Sequence, residues 1–116
     1  MKDERPKINL NEMHCLLREG NITDFNNRRL KGEMPDLHGG DFRGCDLRGA
    51  HLDGLDLSNG YFRQADLRGL NLSTCKLEGA SIVNANVSGA YFPKELSAEE
   101  ILLSLEHGTR MRYRSQ

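Results

Sequence analysis

A large apolar residue recurs at every fifth position through the middle of this 116-residue chain. In an α-helix, five residues advance by about 500°, so successive members would scatter around the axis. In a β-strand, an odd step places every second member on the opposite face. A backbone that turns a corner every five residues would instead put them all on one inside. The twelve positions, predicted to form the structural core, are Leu37, Phe42, Leu47, Leu52, Leu57, Phe62, Leu67, Leu72, Leu77, Ile82, Val87 and Phe92.

The positions on either side of these centres are equally regular. Two residues before each centre, the side chain is mostly small and never charged, which suits a narrow interior. Two residues after each centre, nine of the twelve residues are Gly or Asn, which accept the positive φ of a type II turn. The two remaining slots carry nearly all of the charge, so they are predicted to face solvent.

Units such as CDLRG, ADLRG and ANVSG resemble the pentapeptide-repeat family, whose pattern is A(D/N)LXX. The resemblance covers residues 35–94. It implies an all-β repeat solenoid, a right-handed four-sided (quadrilateral) β-helix with four units per coil and about three coils in this chain. Interior residues twenty positions apart would then stack in columns, as in Leu37–Leu57–Leu77 and Phe42–Phe62–Ile82.

A short solenoid exposes apolar surface at its two ends, and the upstream flank is predicted to form a short α-helix that caps one of them. Asn9 is the predicted N-cap, with Glu12 as its capping-box partner. Ile8 and Met13 are the predicted hydrophobic staple. The predicted apolar face of this helix is Leu10, Met13, Leu16 and Leu17. Gly20 is predicted to end the helix.

The downstream flank repeats this pattern. Ser97 is the predicted N-cap, Glu100 its capping-box partner, and Gly108 the stop. Leu96 and Ile101 are the predicted staple. This helix has more leucines than a cap requires, so two interpretations stay open: an end cap alone, or a cap that also forms a homodimer. The candidate residues for the cap or dimer are Ile101, Leu102, Leu103 and Leu105.

The predicted organisation therefore has four parts. Residues 1–22 form an N-terminal helical cap, 23–34 an irregular first partial coil, 35–94 the β-helix, and 95–116 a C-terminal helix with a basic tail. The partial coil is predicted because Phe25 and Leu30 keep the five-residue step, although they lie out of register with Leu37. The tail, GTRMRYRSQ, is predicted to lie extended with Met111 and Tyr113 on the protein.

The sequence indicates no catalytic residue, metal site or cofactor. The histidines have neither His-x₃-His spacing nor a Cys-x₂-Cys pair beside them, and the three widely spaced cysteines fit reduced thiols. The aspartates recur at the spacing of the repeat. A convex solenoid offers no cleft in which two carboxyl groups could take different pKa values. We therefore predict a non-enzymatic protein. The four histidines are His14, His38, His51 and His107.

Arginine and tyrosine cluster on two adjacent faces of the predicted solenoid. One interpretation is an Arg–Asp ladder that keeps these faces soluble. The other is a docking patch for an acidic partner, since Arg and Tyr are enriched at binding hot spots. The candidate interaction patch is Arg43, Arg48, Tyr61, Arg63 and Arg68.

The leading functional prediction is a protein-interaction scaffold that binds an unidentified partner protein. The first alternative follows from the resemblance, whose best-known activity is mimicry of DNA by acidic solenoids that bind DNA gyrase. Residues 36–92 carry seven acids and five bases, which is a weak copy of a polyphosphate. The second alternative is nucleic-acid binding through the arginine patch and tail, which a net charge of −1 does not favour. With no apolar run of membrane-spanning length and no secretion signal, the predicted location is the cytoplasm.

Overall fold

The computed structural model describes residues 11–114, and its backbone turns a corner every five residues through the repeat region. Eleven turns are closed by a backbone N–H that donates to the C=O of the repeat centre three residues earlier, at 3.0–3.2 Å. In ten units, the residue two positions after the centre has a positive φ; nine of these are Gly or Asn, and the tenth is Gln64. The predicted corners are thus confirmed.

The chain returns to the same side of the stack every twenty residues. Parallel bridges join Asp41 to Tyr61 and Tyr61 to Ser81, and the same offset recurs on the other sides. The N–H groups of six centres donate to a C=O of the following coil, as from Phe42 to the C=O of Tyr61 at 2.7 Å. Within residues 11–114, each pairing is an isolated bridge and not part of a longer strand. The bridges therefore repeat every twenty residues, a distance of four five-residue units.

The repeat centres fill the inside of the stack. Ten of the twelve, from Leu37 to Ile82, are buried, and the rings of Phe42 and Phe62 stack with centroids 5.1 Å apart. Val87 and Phe92 were predicted to be core residues but are only half-buried. They belong to the last coil, which has no further coil to cover its inner side chains.

Two helices, α1 (Glu12–Arg18) and α2 (Ile22–Leu30), precede the first coil. The predicted irregular coil over 23–34 is therefore wrong, because α2 covers most of it, and among residues 11–114 two helices precede the first coil instead of one. Phe25 is fully buried, whereas Leu30 is 76% exposed. A five-residue step in a helix turns about 140° past one full turn, so both side chains cannot face inward.

The N-cap of α1 is Asn11, not the predicted Asn9. The Asn11 side-chain oxygen accepts hydrogen bonds from the N–H groups of Met13 (2.9 Å) and His14 (3.2 Å), so the helix begins at Glu12. Gly20 has a φ of +78° just past the end of this helix, where the stop was predicted. The predicted Asn9, Ile8 and Leu10 contacts lie outside the described residues.

Side chains of α1 and α2 bind the exposed backbone edge of the first coil. Arg29, whose side chain is 8% exposed, donates to the carbonyl oxygens of His51 (2.9 Å) and Asp53 (2.6 Å). Asn26 accepts from the N–H of His51 at 2.8 Å, and Arg18 donates to the carbonyl oxygen of Asp41 at 3.2 Å. These groups occupy the place that a preceding coil would fill.

The third helix, α3 (Ala98–His107), follows the last coil. The Ser97 hydroxyl accepts from the N–H of Glu100 at 3.2 Å, and Gly108 ends the helix with a left-handed φ of 73°, so both predictions are confirmed. The Glu100 carboxylate instead binds Arg112 at 2.7 Å, so the predicted capping box is wrong. The inward face of the helix is Ile101, Ser104 and Leu105.

Two leucines of α3 point away from the core. Leu102 is 56% exposed and Leu103 is 41% exposed. As a cap residue, Leu102 would have to face the core, which it does not, because the inward position is taken by the fully buried Ser104. The Ser104 hydroxyl accepts from the backbone N–H of Ile82 at 3.0 Å, a hydrogen bond that a leucine could not make.

The C-terminal tail closes part of the edge of the last coil. Met111 is fully buried; its C=O accepts from Gly79 at 2.7 Å and its N–H donates to the C=O of Ala80 at 2.8 Å. The Tyr113 hydroxyl accepts from the N–H of Leu77 at 2.9 Å. The prediction of an extended tail that lays Met111 and Tyr113 on the protein is confirmed.

Candidate functional site

Three units of the repeat have the pattern Asp-x-Arg, and in each the arginine is bound by its own aspartate. The aspartate accepts from the backbone N–H of the arginine and from two guanidinium nitrogens, the latter at 2.7–2.9 Å. Such bidentate bonds to an ionised carboxylate are among the stronger hydrogen bonds in proteins. The three pairs are Asp41–Arg43, Asp46–Arg48 and Asp66–Arg68.

These bonds keep the aspartates ionised. The guanidinium of Arg43 lowers the pKa of Asp41 to about 2, and that of Arg48 lowers the pKa of Asp46 to about 2. Arg48 also lies 3.3 Å from the Asp66 carboxylate one coil later. On this side of the stack, positive and negative charges are paired within and between coils.

Arg63 breaks this pattern. The residue two positions before it is Tyr61, whereas each of the other three arginines has an aspartate there. Arg63 is exposed, and among residues 11–114 its guanidinium forms neither a hydrogen bond nor an ion pair. Its positive charge is therefore left without a carboxylate partner.

The tail brings a further arginine to Tyr61. Arg110 donates from one guanidinium nitrogen to the Tyr61 hydroxyl and from another to the carbonyl oxygen of Gly79, both at 2.9 Å. Its guanidinium carbon lies 5.2 Å from the centroid of the Tyr61 ring, within the range of a cation–π contact. Arg110 is thus held in one orientation beside the coil.

These side chains surround a cleft of about 400 Å³ between the repeat face and the segment after α3. No carboxylate is among the described residues that line it. Val83 adds an apolar part to the wall. We call this site the Arg63 cleft, and its polar lining residues are Arg43, Tyr61, Arg63, Ser81, His107 and Arg110.

The coils that carry this cleft match a protein-family model. The model of pentapeptide repeats matches residues 36–69 and 61–92, with eight copies. The chain belongs to the pentapeptide-repeat family. Pentapeptide repeats imply a right-handed β-helix in general, and the twenty-residue spacing of the bridges agrees with four units per coil. Comparison with curated proteins found no match, and comparison with solved structures found none either.

The predicted patch of this pentapeptide-repeat protein divides into two parts. Arg43, Tyr61 and Arg63 line the Arg63 cleft, whereas Arg48 and Arg68 belong to the paired ladder on the adjacent side. The ladder interpretation therefore fits Arg48 and Arg68, and the docking patch stays a prediction.

Three polar lining residues of the cleft, Ser81, His107 and Arg110, were not in the predicted patch. Arg110 had been placed only in the basic tail. The repeat register indicates which residues share a side of the stack. It contains no information on where a segment after the last unit will lie.

Three further properties of the described residues concern metal binding, cysteine thiols and membrane-spanning helices. Within residues 11–114, no group of three or more His, Cys, Asp or Glu side chains is placed to hold a metal ion. Cys45 and Cys75 are buried free thiols, and burial raises the pKa of Cys75 to about 11. No helix among these residues is long and apolar enough to cross a membrane.

Proposed function

We propose that this pentapeptide-repeat protein is a non-enzymatic, cytoplasmic protein-interaction scaffold whose Arg63 cleft docks an acidic segment of a partner protein. The proposal includes the full architecture that the family implies, a right-handed four-sided β-helix with helices as caps at its ends. Such a frame holds its surface side chains at fixed spacing, which lowers the entropic cost of ordering them when a partner binds.

The observation that carries this proposal is the unpaired charge of Arg63. A guanidinium offers five N–H donors in a planar fork that fits a carboxylate or phosphate. Arg43, Arg48 and Arg68 already use their forks on aspartates, but the Arg63 fork lines the cleft without a carboxylate partner among residues 11–114. An acidic group from another molecule would supply the missing partner.

The same charge pairing disfavours the two alternatives. A DNA mimic needs rows of uncompensated negative charge, but Asp41, Asp46 and Asp66 are each bound by an arginine. A tail that grips nucleic acid needs arginines without a carboxylate partner, but Arg112 binds the carboxylate of Glu100. We expect no inhibition of gyrase supercoiling and no gel shift of duplex DNA or RNA at physiological salt.

Site-specific photo-crosslinking tests the proposal. We would replace His107, at the rim of the cleft, with a photoreactive phenylalanine and irradiate a lysate, with Ser73 on another side of the coil as the matched control position. The expected result is a discrete adduct at position 107 only, mapped to an acidic segment and abolished by Arg63→Gln. An adduct that persists in Arg63→Gln, or no adduct at all, would refute docking at this cleft.

A second copy of the chain is a separate candidate partner, and the exposed leucines of α3 favour it. Leu102 and Leu103 present apolar side chains to solvent at the end of the stack where Val87 and Phe92 are only half-buried. We propose that a homodimer covers this end. Size exclusion with light scattering would show a mass of twice the chain, reduced in Leu102→Glu, whereas a monomer at all concentrations excludes the dimer.

A further inference from the structure

We infer that the group bound in the Arg63 cleft is a phosphate monoester carried by the partner protein, that is, a phosphorylated side chain. This inference rests on the proposed docking function and narrows its acidic segment to a phosphorylated one.

The first argument is charge. Of the three arginines in the cleft, Arg43 is neutralised by Asp41, whereas Arg63 and Arg110 bind no carboxylate among the described residues. The cleft therefore presents about two positive charges, and a phosphate monoester carries about −1.5 to −2 at pH 7. The carboxylate of an Asp or Glu side chain carries only one charge and would leave an arginine unpaired.

The second argument is the number of donors. Arg110 uses two guanidinium N–H groups on Tyr61 and Gly79, so its remaining donors are already oriented. Arg63 uses none. A carboxylate offers two acceptor oxygens and one negative charge, whereas a phosphate monoester offers three terminal oxygens and close to two charges, so it can accept from two arginines and neutralise both. Two arginines on one cleft match the second ligand better.

The third argument is the space around the arginines. The cleft holds about 400 Å³, more than an inorganic phosphate ion fills, and Tyr61 and Val83 contribute an apolar wall. That wall can contact the carbon atoms between a phosphate and its main chain. Recognition of phosphorylated segments by arginine clusters is a general mode of peptide binding.

Matched peptides test this inference. Three fluorescein-labelled degenerate peptide pools would be compared by anisotropy on the full chain. The pools have the same random flanks and a central phosphoserine, glutamate or serine. We expect the phosphoserine pool to bind about 10- to 100-fold more tightly than the glutamate pool, because a second charged arginine is engaged. Arg63→Gln should remove this preference, and Arg68→Gln, the matched variant whose arginine is bound by Asp66, should keep it.

Each other outcome has a definite meaning. Equal binding of the glutamate and phosphoserine pools overturns the phosphate inference and leaves acidic docking intact. The preference surviving in Arg63→Gln overturns it as well, because the site then lies elsewhere. If inorganic phosphate competes as strongly as phenyl phosphate, the cleft serves free phosphate and the inference is wrong. If no pool binds while the His107 crosslink to an acidic segment persists, the inference alone fails.

Discussion

Arg63 lies one coil after Arg43 in the same position of its unit, and the two differ in the residue that precedes them by two. Asp41 binds the guanidinium of Arg43 through two hydrogen bonds of 2.8 Å, whereas Tyr61 offers Arg63 no carboxylate and the Arg63 guanidinium has no partner within residues 11–114. The backbones are directly joined, since the N–H of Gly44 donates to the C=O of Arg63 at 2.8 Å. The difference between Asp41 in one coil and Tyr61 in the next thus decides whether the following arginine is neutralised by a carboxylate.

The substitution Tyr61→Asp should weaken phosphopeptide binding in the Arg63 cleft. The new carboxylate would bind Arg63 as Asp41 binds Arg43, and Arg110 would lose its ring contact. We expect the affinity for the phosphoserine peptide pool to fall by about 10-fold or more, measured by anisotropy. Tyr61→Phe, which keeps the ring under Arg110 and adds no carboxylate, is the control and should retain most of the affinity. Wild-type binding by Tyr61→Asp would show that the free charge of Arg63 is irrelevant.

Gly60 is small because Phe62 is large. A Cβ added at Gly60 would lie 2.7 Å from the Phe62 ring and 3.0 Å from the C=O of Leu57. Gly60→Ala should therefore reduce the free energy of unfolding in urea by about 1–3 kcal/mol through overpacking. Phe62→Leu removes the ring, so the double variant should lose less free energy of unfolding than the sum of the losses in the two single variants. Purely additive effects would show that the two positions do not share this space.

Gln64 holds a conformation that favours glycine. Its φ is 60°, at a corner where most units have Gly or Asn. Gln64→Gly should raise the free energy of unfolding by about 0.5–1 kcal/mol, because relief of backbone strain outweighs the added freedom of the unfolded chain. The control is Thr74→Gly at the equivalent corner. Thr74 lacks a positive φ and accepts from the N–H of Gly54 at 2.9 Å, so this change should destabilise the protein. The same sign for both would contradict the argument.

Acid should destabilise the protein through its Asp–Arg pairs. The pKa values of Asp41 and Asp46 are lowered from 3.8 to about 2, so folding favours their ionised forms. This contribution is fully present above pH 3.8 and is lost as the pH falls through about 2. The free energy of unfolding should decline across that window, measured by urea titration at each pH. Asp41→Asn together with Asp46→Asn should flatten the decline. An unchanged slope would place the acid sensitivity at other groups.

The repeat region was predictable because its constraints are local. A corner every five residues needs a positive φ at one slot and a small residue at another, and both are visible in the sequence. The same rule misled at Phe25 and Leu30, where a five-residue step is coincidental and α2 forms instead. Asn9 and Asn11 both fit an N-cap, and the sequence pattern does not distinguish them.

The cleft was only partly predictable. The absence of an aspartate before Arg63 is visible in the sequence as a break in the Asp-x-Arg pattern. The contact between Arg110 and Tyr61 joins residues 49 positions apart, and no periodicity relates the tail to the second coil. Arg110 becomes part of the site only through the path of the chain after α3.

The contacts that side chains of α1 and α2 make with the first coil allow the number of coils to vary. Arg18, Asn26 and Arg29 bind backbone groups of the first coil, and Arg18 and Arg29 also lie near the carboxylates of Asp41 and Asp53 in that coil. These contacts do not depend on how many coils follow. Duplicating residues 36–55 should therefore add one coil to the protein. The helices α1 and α2 would still contact the first coil, and the tail would still contact Tyr61. Evolution could vary the reach of such a protein by copying twenty codons, leaving both terminal pieces untouched.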